Sequence, residues 1–169
     1  LPEKIFLVLN KSFTRIQILK ISIINSSKMS NAENINTDQA PQPVGLYPHA
    51  RRVGNLLFLS GIGPRDPKTN SIPGLRQSAA GNYLQFDFAA QCHAVFKNVR
   101  TVLEASGARW EDLVDVTVFL VNMERDFHIY NQIYADYFQG NQPCRTTVGI
   151  SALPTPIAIE LKCIAVLNN

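Results

Sequence analysis

A chain of 169 residues, 46% of them hydrophobic, is long enough to bury one compact core and too short for two comfortable domains. Its formal net charge of +3 is gathered at the start: residues 1–28 hold five lysines and arginines against Glu3 alone, and the remaining 11 bases and 12 acids leave residues 29–169 at −1. That balance removes nucleic-acid binding by bulk charge, and three cysteines (Cys92, Cys144, Cys163) with no C-x-x-C and no histidine at ligand spacing argue against a disulfide framework or a zinc centre and suit a reducing, cytoplasmic setting.

The first apolar run is interrupted by Asn10, Lys11, Arg15 and Lys20, so nothing approaches the ~20 apolar residues of a membrane span. The basic, nearly acid-free character permits a mitochondrial presequence. Met29-Ser30-Asn31-Ala32 offers an alternative start, and residues 1–28 are expected to lie upstream of it. Residues 29–42 are polar with few apolar anchors and read as a mobile lead-in. Residues 1–42 are thus an extension, and 43–169 the domain.

Val44–Tyr47 and Arg52–Ser60 read as a strand pair, with Gly54-Asn55 as a turn or bulge. Ile62–Phe86 is rich in Gly, Pro, Asn and Ser and reads as a long loop, a kind of segment that is usually functional or disordered; here it is expected to shape a pocket. Asp87 then precedes an apolar stripe, Phe88, Cys92, Val95, Val99, Val102 and Ala105, closed by Gly107, which predicts a first long helix. Trp110–Asp112 turns the chain, Val114–Val121 alternates as a strand, and Asp126 can cap a second helix carrying Phe127, Tyr130, Ile133, Tyr134 and Tyr137. Cys144–Leu153 and Ile157–Val166 are two more strands, joined through Leu153-Pro154-Thr155-Pro156. The order β-β-loop-α-β-α-β-β predicts an α+β domain with both helices packed on one face of a mixed sheet.

Each of the last two strands carries one charge among apolar neighbours, Arg145 and Glu160, in places where a charge is costly to bury without a partner or a task. Arg145 is either a solvated or salt-bridged strand end or a planar fork for a carboxylate; Glu160 is either the polar side of an edge strand or a working carboxylate. Cys144 is either a small packing residue or a thiol nucleophile, and no His/Asn constellation accompanies it. His49, Arg51 and Arg52 are either solvated strand residues or contacts for an anionic ligand. His93 and His128 lie on helix patterns as exposed side chains.

Arg145, Leu153-Pro154 and Glu160-x-x-x-x-Ala165-Val166, preceded by Gly45-Leu46-Tyr47, Gly54-Asn55, Leu59-Ser60-Gly61 and Asn131-x-x-Tyr134-x-x-Tyr137-Phe138, resemble the Rid (YjgF-type) family from about Pro43 to Val166. More narrowly, Val44–Arg52, Ser60–Arg65 and Val114–Phe127 are similar to the branch that deaminates 2-aminomuconate. The resemblance implies a chorismate-mutase-like fold, a trimeric barrel with clefts between subunits, and hydrolysis of imines and enamines of amino acids without a cofactor or a metal. It assigns Arg145 to the substrate carboxylate, Glu160 to the attacking water, and backbone groups near Thr147 to the imine nitrogen. Tyr47, Ser60, Gly61 and Asn131 are implied to line the cleft. Many members have Cys where Thr147 stands, which removes any thiol role there.

The reading expected from these pieces is conversion of 2-aminomuconate to 4-oxalocrotonate and ammonia, with His49, Arg51, Arg52 or Arg65 meeting the distal carboxylate. The alternative is a general 2-imino acid deaminase of the 2-iminopropanoate type. A ribonuclease-like or translation-inhibiting module is the third, opposed by the −1 charge of residues 29–169 and the lack of a histidine pair suited to phosphodiester cleavage.

Overall fold

In the strand Ile159–Val166 every second side chain, Ile159, Leu161, Cys163 and Ala165, is apolar and buried, while Glu160, Lys162, Ile164 and Val166 point the other way. That period of two marks a strand with one covered face. A computed structural model describes residues 32–78, 80 and 83–167; the reading of residues 1–28 as a segment upstream of the start lies outside the described residues. The elements are β1 (Ala32–Ile35), β2 (Ala50–Val53), β3 (Leu56–Leu59), β4 (Arg76–Gln77), β5 (Tyr83–Gln85), α1 (Phe88–Ala105), a 3-10 turn (Trp110–Asp112), β6 (Leu113–Leu120), α2 (Met123–Tyr137), β7 (Cys144–Gly149) and β8 (Ile159–Val166). Six strands form one mixed sheet in the order β1-β2-β3-β8-β6-β7, antiparallel except for the parallel β6–β7 pair. This is the expected α+β arrangement.

Both helices lie on one face. α1 begins where Asp87 accepts a hydrogen bond from Ala90 N–H, and the chain leaves it through Gly107 at φ +73°, a left-handed conformation that glycine adopts without a Cβ penalty. Its stripe of Cys92, Val95, Phe96, Val99 and Val102 is fully buried. Phe96 packs against Trp110, Tyr130, Tyr137 and Phe138 with ring centroids 4.5–6.1 Å apart, welding α1 to α2 through offset and edge contacts.

Several details depart from the sequence-based expectations. The lead-in is not loose throughout: Ala32–Ile35 adds a strand to β2, and Ala40 is fully buried. Val44–Tyr47 is not a strand; Pro43 and Pro48 flank it, each lacking a backbone donor, and Tyr47 N–H turns back to Gly45 O. The long loop contains a two-stranded ladder, β4–β5. α2 starts one turn early, capped by Asn122 accepting from Arg125 N–H, while Asp126 sits inside the helix, buried and bonded twice by Arg125 at 2.6 and 2.7 Å. β7 and β8 are consecutive in the chain but not neighbours, because β6 lies between them.

Candidate active site

Glu160 stands on β8, a central strand rather than an edge, with Phe119 of β6 opposite it. It is half-buried, and burial raises its carboxyl above the 4.5 of an ordinary glutamate, because a charge leaving water disfavours ionisation. Among the described residues no cation is within ion-pair distance of it. It forms part of the wall of an open cleft of about 500 Å³ with Tyr47, Arg51, Ser60, Gly61, Arg65 and Lys162. The charged or ionisable groups that line the same cleft are Arg51, Arg65, Lys162 and the Tyr47 phenol.

The cleft is shaped by what its residues lack as much as by what they carry. A methyl group added at Gly61 would overlap the Glu160 carboxylate, so glycine there lets the backbone approach the acid closely. Ser60 Oγ donates to Pro48 O at 2.6 Å, and Ser60 N–H to His49 O at 2.9 Å; the serine hydroxyl ties down the Tyr47 segment instead of facing solvent. Ile62 and Leu161 exchange both backbone hydrogen bonds, at 2.8 and 2.9 Å, fixing the Gly61 loop to β8 beside Glu160.

Arg145 lies elsewhere in the same chain. It is opposite Val116 in β6, whose other partner is Cys163 in β8; both are buried under the helices, and residues facing each other across a ladder share a face. Arg145 is therefore on the helix side of the sheet, where its guanidinium carbon is 4.6 Å from the centroid of the Tyr134 ring and 5.6 Å from that of Tyr130. Glu160 is on the open side, three residues along β8 from Cys163 and two strands away from β7, about 10 Å in each direction. Thr147, opposite buried Val118, shares the helix side with Arg145, and its Oγ1 is buried without a hydrogen-bond partner, as is Tyr130 Oη. Burial also raises the Tyr130 and Tyr134 phenols, so both stay neutral beside the cation.

The sequence-predicted residues thus fall into two groups. Tyr47, Arg51, Ser60, Gly61, Arg65 and Glu160 share one cleft; Arg145 and Thr147 share the β7 edge beside α2; Asn131 is half-buried on α2 and does not line the cleft. Two residues offered for a distal carboxylate are not free for it. His49 is buried at 2% exposure, accepting from Thr37 N–H and donating to Pro41 O, because residues 37–41 fold over it. Arg52 shares the face of buried Leu57 and donates to Gly54 O, away from the cleft. Arg65 does line it, with its guanidinium bonded to Gln42 O and Asn70 Oδ1. Sequence reasoning missed Lys162, although its place two residues after Glu160 in an alternating strand puts it on the same face.

The three thiols are free. Cys92 and Cys163 are buried and pushed up to about 12, which keeps them as inert packing groups. None of the described helices is long and apolar enough to cross a membrane.

The profile of the family described as Endoribonuclease L-PSP matches residues 37–167. A RutC family protein of Pyrococcus horikoshii is 38% identical over 133 residues, 79% of this chain and 96% of its own length. The 2-iminobutanoate/2-iminopropanoate deaminase of Dermatophagoides farinae is 34% identical over 83% of this chain and 100% of its own. Among solved structures, RidA from an Antarctic Psychrobacter has a TM-score of 0.69 at 31% identity, covering 80% of this chain and 99% of the other. The match begins at residue 37, before the expected boundary at 43, consistent with the folding of residues 37–41 over His49. With a family profile spanning most of its length and relatives above 30% identity, the chain belongs to the Endoribonuclease L-PSP (Rid, RutC) family.

Proposed function

We propose that this protein is a hydrolytic deaminase of small 2-imino acids. The observation that carries the reading is Glu160: a half-buried carboxylate with a raised pKa and no bonded cation, held against the Gly61 backbone in an open cleft. A base poised nearer neutrality than an ordinary glutamate suits proton abstraction from water. The relative that deaminates 2-iminopropanoate supports the substrate class. Arg145 binds the substrate carboxylate in a fork. Water adds to the carbon of the protonated imine as Glu160 accepts its proton; Glu160 then returns that proton to the amino group of the carbinolamine, which collapses to the 2-oxo acid, the nitrogen and the hydroxyl proton leaving as ammonium.

Because Arg145 and Glu160 sit on opposite faces of one sheet, this chemistry needs two copies of the chain, in keeping with a homotrimer whose clefts lie between subunits. β7 is a sheet edge, and the open face exposes Val53 and Leu56 beside half-buried Phe58, Ile164 and Val166, an apolar surface of the kind that partner copies cover. Free thiols at Cys92, Cys144 and Cys163 suit a reducing compartment such as the cytoplasm.

The test is ammonia release from 2-iminopropanoate generated in place by an amino-acid oxidase. A rate no faster than the buffer reaction ends this reading. Glu160→Gln should lower kcat by about 100-fold or more, with a smaller effect on KM. The same substitution should raise thermal stability. A carboxyl raised in the folded state holds its proton more tightly folded than unfolded, so its contribution to stability falls as pH rises from the unfolded to the folded value. Glutamine removes that deficit. A melting-temperature gain near pH 8 that vanishes below the ordinary glutamate value is the expected pattern; equal melting temperatures at pH 8 would show that the carboxylate is not desolvated.

A second reading, a six-carbon dicarboxylate such as 2-aminomuconate converted to 4-oxalocrotonate, is favoured by one observation. Around Glu160 the cleft carries three cations, Arg51, Arg65 and Lys162, and among the described residues Arg51 and Lys162 have no acidic partner. If a second carboxylate binds there, 2-aminomuconate should exceed 2-iminopropanoate in kcat/KM, and Arg51→Ala or Lys162→Ala should remove about 10- to 100-fold of that preference. Equal values for the two substrates leave the three-carbon reading alone.

A further inference from the structure

The buried stripe of α1 contains two amides among its apolar residues, Gln91 at 0% and Asn98 at 4% exposure. They are seven residues apart, two helical turns, and so lie on one face about 10 Å from each other. A buried amide is costly unless its hydrogen bonds are made, and a leucine in the same stripe would carry no such cost. Neither amide bonds within its own helix. Gln91 Oε1 accepts from Ala158 N–H at 2.8 Å, and its Nε2 is left buried without a partner; Asn98 Nδ2 donates to Gly63 O and Arg65 O, both at 2.9 Å.

The two segments so held are the two that confine Glu160. Ala158 is two residues before Glu160 on the chain entering β8. Gly63 and Arg65 belong to the loop that begins at Gly61, the residue against which the Glu160 carboxylate rests. The segments are locked to each other by the reciprocal Ile62–Leu161 hydrogen bonds. Helix, loop and strand therefore form a closed frame, and the carboxylate stands on the open face where loop and strand meet.

Resting on the deaminase reading for its catalytic consequence, we propose that Gln91 and Asn98 are positioning residues that fix the Glu160 carboxylate against the Gly61 backbone from behind the sheet. The unpaired Nε2 of Gln91 follows: the Ala158 N–H requires the carbonyl end of the amide, which commits the amino end to the apolar interior. Loosening either anchor lets the Gly61 loop and β8 separate, admitting water to the carboxylate and displacing it from the reacting carbon.

The test compares Gln91→Met and Asn98→Leu, which fill the space but remove the anchors, with Val99→Ala, which weakens the same buried stripe and leaves the hydrogen bonds to both segments in place. Titration of the Glu160 carboxyl by carbon-13 NMR should show its pKa moving down toward 4.5 in both anchor variants and staying put in Val99→Ala. Arg51, Arg65, Lys162 and Tyr47, which line the same cleft, are common to all the proteins compared. In the deaminase assay kcat should fall about tenfold or more with KM changed less than about threefold. Anchor variants that melt earlier yet titrate and turn over like Val99→Ala would overturn the proposal and leave the amides as packing groups. A wild-type protein without deaminase activity whose Glu160 titration still responds to the anchors would end the activity reading and leave the positioning intact.

Discussion

Arg145→Lys is expected to lower kcat/KM for an imino acid by about 30- to 1,000-fold, the equivalent of ~2–4 kcal/mol of transition-state stabilisation, while leaving the melting temperature nearly unchanged. The charge survives the substitution, so the loss isolates geometry. A guanidinium offers two parallel donors in one plane; an ammonium is a single rotating point. The plane is also held here: the guanidinium lies over the Tyr134 ring at 4.6 Å and the Tyr130 ring at 5.6 Å, contacts of about 0.5–1 kcal/mol each at exposed sites. Lysine would lose the fork while keeping a cation over the rings. Stability should hardly respond because Arg145 is exposed and, among the described residues, has no acidic partner to strand. Kinetics of the purified variant decide the matter. Unaltered kcat/KM in the Arg145→Lys enzyme would place the substrate carboxylate elsewhere.

Arg145 and Glu160 could be picked out of the sequence because each is a charge in an apolar strand, but their relation to each other could not. β7 reads Cys-Arg-Thr-Thr-Val-Gly, with polar residues on both sides of the pleat, so its alternation does not say which side is covered. Only the pairing of Arg145 with Val116 does. α1 was legible because its Asp87 cap, its Gly107 exit and its stripe from Phe88 to Val102 all agree, although Ala105, read as the end of that stripe, is exposed. The start of α2 was misplaced because Asp126, a good capping residue by type, is consumed by Arg125 inside the helix. β1 escaped notice for a different reason: Ala-Glu-Asn-Ile has little apolar alternation, and an edge strand of four residues is held chiefly through backbone pairing with β2, which leaves no mark on side-chain pattern. His49 looked available for a ligand because nothing local announces that residues 37–41 fold back over it.

Mixing two inactive variants should restore activity, the largest effect that the two-face geometry predicts. Arg145→Ala removes the proposed carboxylate fork and leaves Glu160 in its cleft; Glu160→Gln removes the proposed base and leaves Arg145 against Tyr130 and Tyr134 of α2. If each working site takes its arginine from one chain and its glutamate from the next, subunits exchanged at random in equal amounts give about one site in four with both groups intact. The mixture should therefore show about a quarter of wild-type turnover, while each parent stays near background. Differently tagged copies, co-purified, establish that the subunits have mixed. A site built within one chain cannot be rescued this way, since every chain in the mixture lacks one of its two groups. Mixed assemblies without activity would require Arg145 and Glu160 to meet around the edge of a single sheet. The sheet lies in the way of such a meeting: Val116 and Cys163 lie in the row of Arg145, both buried under the helices, and Glu160 faces away from them.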